Sequence, residues 1–102
     1  MTPAVPVGAA HELVEGAMLR LELDGRLYGV CRLEGRLVGF DARCPHVHAD
    51  LTEGVLADGG VDCPQHLWHF DLRNGACTMV PDYAIELFEV RERDGQLELM
   101  LP

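Results

Sequence analysis

Two short segments constrain this chain more than anything else in it. They are Cys44-Pro45-His46 and Cys63-Pro64-Gln65-His66, separated by the sixteen residues 47–62. Each supplies one thiol and one imidazole, and each has a proline directly after its cysteine. Four such donors act together only if the fold sets two loops side by side. They suit a tetrahedral zinc site, or a [2Fe–2S] cluster with one iron on the Cys pair and the other on the His pair. The Cys-x-His step leaves one residue between donors, fewer than the roughly two to four usual in a zinc knuckle. In a two-iron cluster the neighbouring Cys and His bind different irons, so a short step can span it. Spacing favours iron–sulfur over zinc.

The rest of the chain reads as short strands. Turn signals recur at Asp24-Gly25, Glu34-Gly35, Asp58-Gly59-Gly60, Asn74-Gly75 and Asp94-Gly95. Between them lie stretches of period-2 alternation, the pattern of half-buried strands. Residues 18–23 place Leu19, Leu21 and Leu23 on one face and Arg20 and Glu22 on the other. Residues 27–33 and 37–40 follow behind glycine turns, and 88–92 with 97–101 form a closing hairpin around Asp94-Gly95, a pair suited to a type I′ turn. One helical turn is expected at 9–14. The stretch 41–81 breaks the pattern and reads as a long, mostly irregular insert, which inside a small domain signals function. The fold class is all-β, and the 102 residues are expected to form one domain, 1–102.

Charge narrows the function classes. Seventeen Asp and Glu stand against eight basic residues, all Arg, for a net charge of −9. Phosphates and anionic lipid would repel such a chain, so neither nucleic acid nor a membrane surface is an expected partner. Basic protein surfaces are. The first basic residue is Arg20, so the start lacks the cationic region of a secretory signal. No apolar run nears the roughly 18 residues that span a bilayer. The expected setting is cytoplasmic, where four cysteines point to metal or redox chemistry before disulfides.

The pattern Cys-x-His, sixteen residues, Cys-x-x-His resembles the Rieske family. Family-like features surround it: Gly54, Trp68, Phe70-Asp71, Asn74-Gly75 and Pro81. The resemblance implies antiparallel sheets with two cluster-binding loops at one end, about 43–50 and 62–70, and one [2Fe–2S] cluster held by Cys44, His46, Cys63 and His66. Respiratory members carry an extra cysteine in each loop, and these form a disulfide. The matching positions here are Ala49 and Gln65, as in soluble ferredoxins that feed bacterial oxygenases. Respiratory members also place Ser and Tyr donors where Trp68 and Phe70 stand, and fewer donors to sulfur imply a low potential. His66-Leu67-Trp68 most resembles the ferredoxins of toluene-type diiron monooxygenases.

The function implied is that of a soluble electron carrier rather than an enzyme. It would pass single electrons from an NAD(P)H-dependent flavoprotein ferredoxin reductase to the terminal oxygenase or hydroxylase of a multicomponent system for aromatic or alkene substrates. Two alternatives are a small subunit of a nitrite-reductase-like complex, whose members commonly lack the ligands, and a zinc-stabilised interaction module. The remaining histidines and cysteines have plainer readings. His48 is a surface residue near the tip, His69 a strand or packing residue, and His11 is exposed. Cys31 shares a strand face with Leu27 and Leu33 and reads as a buried thiol. Cys77 approaches the cluster without ligating it, and a Cys31–Cys77 disulfide is poorly motivated. Seven acids against two Arg between residues 41 and 82 make the cluster region acidic, with Asp50 and Glu53 as steering charges on the first loop.

Overall fold

The structure is a computed structural model that describes residues 4–45, 49–65 and 68–102. Among the described residues, nine strands form two antiparallel sheets. The larger contains β1 (Ala4–Ala9), β2 (Met18–Leu23), β3 (Arg26–Leu33), β4 (Arg36–Asp41), β8 (Leu87–Arg93) and β9 (Gln96–Met100), in the order β1-β9-β8-β4-β3-β2. The smaller is β5 (Val55–Ala57), β6 (Gly60–Asp62) and β7 (His69–Asp71). All-β architecture follows from the turn chemistry. Asp24-Gly25, Glu34-Gly35, Asp58-Gly59 and Asp94-Gly95 each join two paired strands, and both residues of every pair lie at positive φ. A type I′ hairpin requires that conformation, because its twist matches that of the strands.

The larger sheet buries both faces. Along β3, Tyr28 and Val30 join one apolar cluster with Phe88, Val90, Leu97 and Leu99, while Leu27 and Cys31 join another. On β2 the Leu19, Leu21 and Leu23 face packs on the first cluster, as the alternation predicts. The second cluster lies between the β3–β4 surface and the segment that follows β4. It contains Phe40, Leu51, Val61, Cys44, Cys63 and Phe70 among its members, all fully buried. The six-stranded sheet is therefore the platform on which the Cys44 and Cys63 loops rest.

The stretch 41–81 is mostly irregular, as its broken pattern implies, but it also holds β5–β7, which were not expected; three-residue strands are too short to display alternation. The N-terminal β1 was not expected either. It pairs with β9 through a register shift between Pro6 and Gly8, and Pro6 is tolerated because β1 ends the sheet. The helical turn contracts to a 3-10 turn at Ala10–Glu12.

Candidate metal centre

Both cysteines of the motif sit at the base of a tightly closed loop. The Cys44 amide donates to the Ala49 carbonyl at 2.9 Å, and the Cys63 amide donates to the Trp68 carbonyl at 2.7 Å. In each loop the cysteine thus bonds the residue five positions on. The first loop is closed further by an Arg43–Asp50 bridge and by the Leu51 amide on the Ala42 carbonyl at 2.7 Å. The second grows directly out of the β6–β7 hairpin, whose last rung pairs Asp62 with His69. Both cysteines are fully buried in one apolar cluster. His46, His48, His66 and Leu67 lie outside the described residues, so the imidazole half of the expected site has no geometry here.

Gly54 brings the loops together. A Cβ at this position would run into the Asp62 carbonyl oxygen, the residue before Cys63, and would lie 3.2 Å from the Leu51 carbonyl oxygen. Only glycine permits that approach of main chain to main chain. A third loop, 77–83, covers the second; of it, only Cys77 and Pro81 were read from the sequence as belonging near the site. The Cys77 amide donates to the Tyr83 carbonyl at 3.0 Å, the Thr78 amide donates to the His69 carbonyl at 2.8 Å, and the Tyr83 ring packs on Trp68 with centroids 5.2 Å apart. The signal available was Trp68 and Tyr83, two aromatics in a chain with six.

The plainer side-chain readings resolve individually. His69 Nδ1 lies 2.7 Å from Asp62 Oδ1, so it braces β7 against β6. His11 is exposed. Cys31 and Cys77 are buried and not disulfide-bonded. Burial, with Glu15 adding to it, pushes the Cys31 thiol up to about 12, far from thiolate chemistry. The Cys77 Sγ accepts from the Val80 amide at 3.4 Å. Asp50 is not the open steering charge that the sequence suggested. Its side chain is 14% exposed, accepts the Thr52 amide at 2.9 Å and lies 2.8 Å from Arg20 Nε. Burial would raise its pKa, but Thr52 and Arg20 outweigh burial and hold the carboxyl below its usual value.

Two buried thiols at the bases of adjoining loops fit a cluster that takes one iron on a cysteine pair. The family comparison agrees with this donor chemistry. The Rieske [2Fe-2S] domain matches residues 4–89, and the chain belongs to that family, whose cofactor is one [2Fe–2S] cluster. A relative, the anthranilate 1,2-dioxygenase ferredoxin subunit of Burkholderia cepacia, is 33% identical over 95 residues, covering 92% of this chain and 88% of that protein. Among solved structures, the complex of reduced oxygenase and oxidized ferredoxin in carbazole 1,9a-dioxygenase contains a chain matching at TM-score 0.87 and 25% identity, over 95% of this chain and 92% of that one. A structure assigned as an NADH-dependent nitrite reductase small subunit from Mycobacterium tuberculosis matches at TM-score 0.90 and 20% identity, covering 100% and 97%. That last likeness concerns the fold.

Proposed function

We propose that this protein is a one-electron carrier of a multicomponent oxygenase system, with Cys44 and Cys63 binding one iron and His46 and His66 the other. The observation that carries the reading is the pair of buried thiols at the matched bases of two glycine-docked loops. When bound, the cluster supplies reversible uptake of one electron. The chain's residues hold it, keep water from its thiolate side and set its depth beneath the surface. The electron donor is an NAD(P)H-dependent flavoprotein reductase and the acceptor a terminal oxygenase, so the protein itself is not an enzyme. The ferredoxin relatives serve dioxygenases, which supports a dioxygenase acceptor beside the diiron monooxygenase that His66-Leu67-Trp68 suggests. A cytoplasmic setting fits this role; among the described residues no helix is long and apolar enough to cross a membrane. A second reading, a subunit of a nitrite-reductase-like complex, draws on the 0.90 TM-score alone.

Steering by charge follows from the same geometry. Of the seven acids between residues 41 and 82, Asp41, Asp50 and Asp71 pair with arginines and Asp62 with His69. Glu53, Asp58 and Asp82 are exposed and make no ion pair among the described residues. Glu53 and Asp82, on the segments beside the cluster loops, are the charges left to meet a basic partner rim, since Asp58 lies in the β5–β6 turn at the end of β6 away from Cys63. Delivery to the oxygenase, followed by stopped flow, is expected to slow severalfold as salt rises past about 0.15 M, where the Debye length is about 8 Å. Glu53→Lys should slow it more than Glu22→Lys on β2. Rates indifferent to salt and to both reversals would reject steering; a reduced protein that passes no electron to the oxygenase would reject the carrier role.

The potential is a separate expectation. Phe70 is fully buried and has no hydroxyl to donate to sulfur. Voltammetry at pH 7 should therefore give a value near the bottom of the Rieske range, about −150 mV. A strongly positive value would place the cluster in the high-potential group and contradict delivery from a flavin to an oxygenase.

A further inference from the structure

We propose that Asp50 and Arg20 form a positioning clamp that fixes the first cluster loop against the outer strand of the six-stranded sheet. The inference rests on the ligand reading at Cys44. Asp50 sits where the loop's two legs meet: its main chain bridges Arg43, one residue before Cys44. The rungs on either side are the Cys44 amide on Ala49 and the Leu51 amide on Ala42. Any displacement of Asp50 is therefore passed to Cys44 through the backbone.

The side chain divides its two oxygens between local and distant partners. Oδ1 accepts from the Thr52 amide and hydroxyl, which caps the short 3-10 turn Leu51–Glu53. Oδ2 accepts from Arg20 Nε at 2.8 Å, thirty residues away in sequence. Arg20 leaves β2 on the face opposite Leu19 and Leu21, the face from which Met18 packs on the cysteine-bearing core. Among the described residues this is the one ion pair that joins a cluster loop to the six-stranded sheet. Arg20 is half exposed, and exposed pairs add little to global stability. What the pair supplies is the loop's position, in the manner of outer partners that orient metal ligands.

The test compares holoproteins carrying Arg20→Gln, Asp50→Asn, both together, Arg20→Lys, and the control Arg26→Gln, whose partners Asp41 and Glu86 lie outside the loops. Bleaching of the visible absorption by excess chelator is followed well below the unfolding temperature, and the reduced proteins are compared by electron spin resonance. These readouts need no partner protein, so failure of the carrier role would leave their result intact. Arg20→Gln and Asp50→Asn should each bleach roughly tenfold faster than the wild type, with altered g-values. The double variant should be no faster than the worse single one, Arg20→Lys should recover most of the wild-type rate, and Arg26→Gln should match the wild type. If Asp50→Asn does not fold, the Arg20 variants decide the matter. Wild-type bleaching and g-values in Arg20→Gln, or equal acceleration in Arg26→Gln, would overturn the clamp.

Discussion

Replacing Cys63 by Ser should give a colourless protein that unfolds at a lower temperature than the wild type. A serine hydroxyl is a poor iron ligand at neutral pH, and the lost anchor serves two loops at once. Because a preformed site is absent from the unfolded chain, the free energy of holding a metal centre is also folding free energy. Cys44→Ser should behave the same way. The other two thiols provide the contrast. Cys31 and Cys77 are buried like the ligand pair, but Cys31 lies within β3 and Cys77 opens the covering loop 77–83, closed six positions on rather than five. Neither belongs to the Cys-x-His or Cys-x-x-His pattern. Cys31→Ser and Cys77→Ser should stay coloured and lose about 1–3 kcal/mol, the cost of a buried hydroxyl without a full set of partners. Iron content and thermal melts check both halves. A coloured Cys63→Ser beside a colourless Cys31→Ser would reverse the assignment.

Gly54→Ala should be nearly as damaging, though it removes no ligand. The added methyl would meet the carbonyl oxygens of Asp62 and Leu51, both main-chain atoms that cannot swing aside. Gly54 has φ −86°, open to any residue, so the cost is one of space rather than of backbone conformation. Overpacking of this kind costs about 1–3 kcal/mol. Here it falls on the contact that docks one loop against the other, so cluster yield should drop sharply even where the sheets remain folded. Iron per chain, measured beside far-ultraviolet circular dichroism, separates the two effects. Full iron occupancy in Gly54→Ala would show that loop docking does not govern the site.

Much of this was legible in the chain because the signals are local. A hairpin with two positive φ angles announces itself as Asp-Gly or Glu-Gly. Of the six such pairs the three Asp-Gly pairs and Glu34-Gly35 connect strands, while Glu15-Gly16 and Glu53-Gly54 do not. The Cys-x-His and Cys-x-x-His spacing likewise belongs to single loops. What escaped notice depends on distant partners. Strands β5–β7 are three residues each and are held by pairing with one another, which no periodicity reports. Strand β1 is fixed by β9, some ninety residues away. Asp50 read as a free charge because Arg20 lies on another strand, and only the packed structure turns a steering residue into a loop anchor. The cover from loop 77–83 depends on Trp68 meeting Tyr83, another contact that sequence alone does not fix.

Electron–nuclear double resonance of the one-electron-reduced protein tests the central claim most directly. The two-cysteine, two-histidine assignment predicts nitrogen couplings from two coordinated imidazoles. One coupling should vanish in any His46→Cys or His66→Cys protein that retains a cluster. A reduced cluster without nitrogen coupling, or a colourless protein holding zinc, would contradict it.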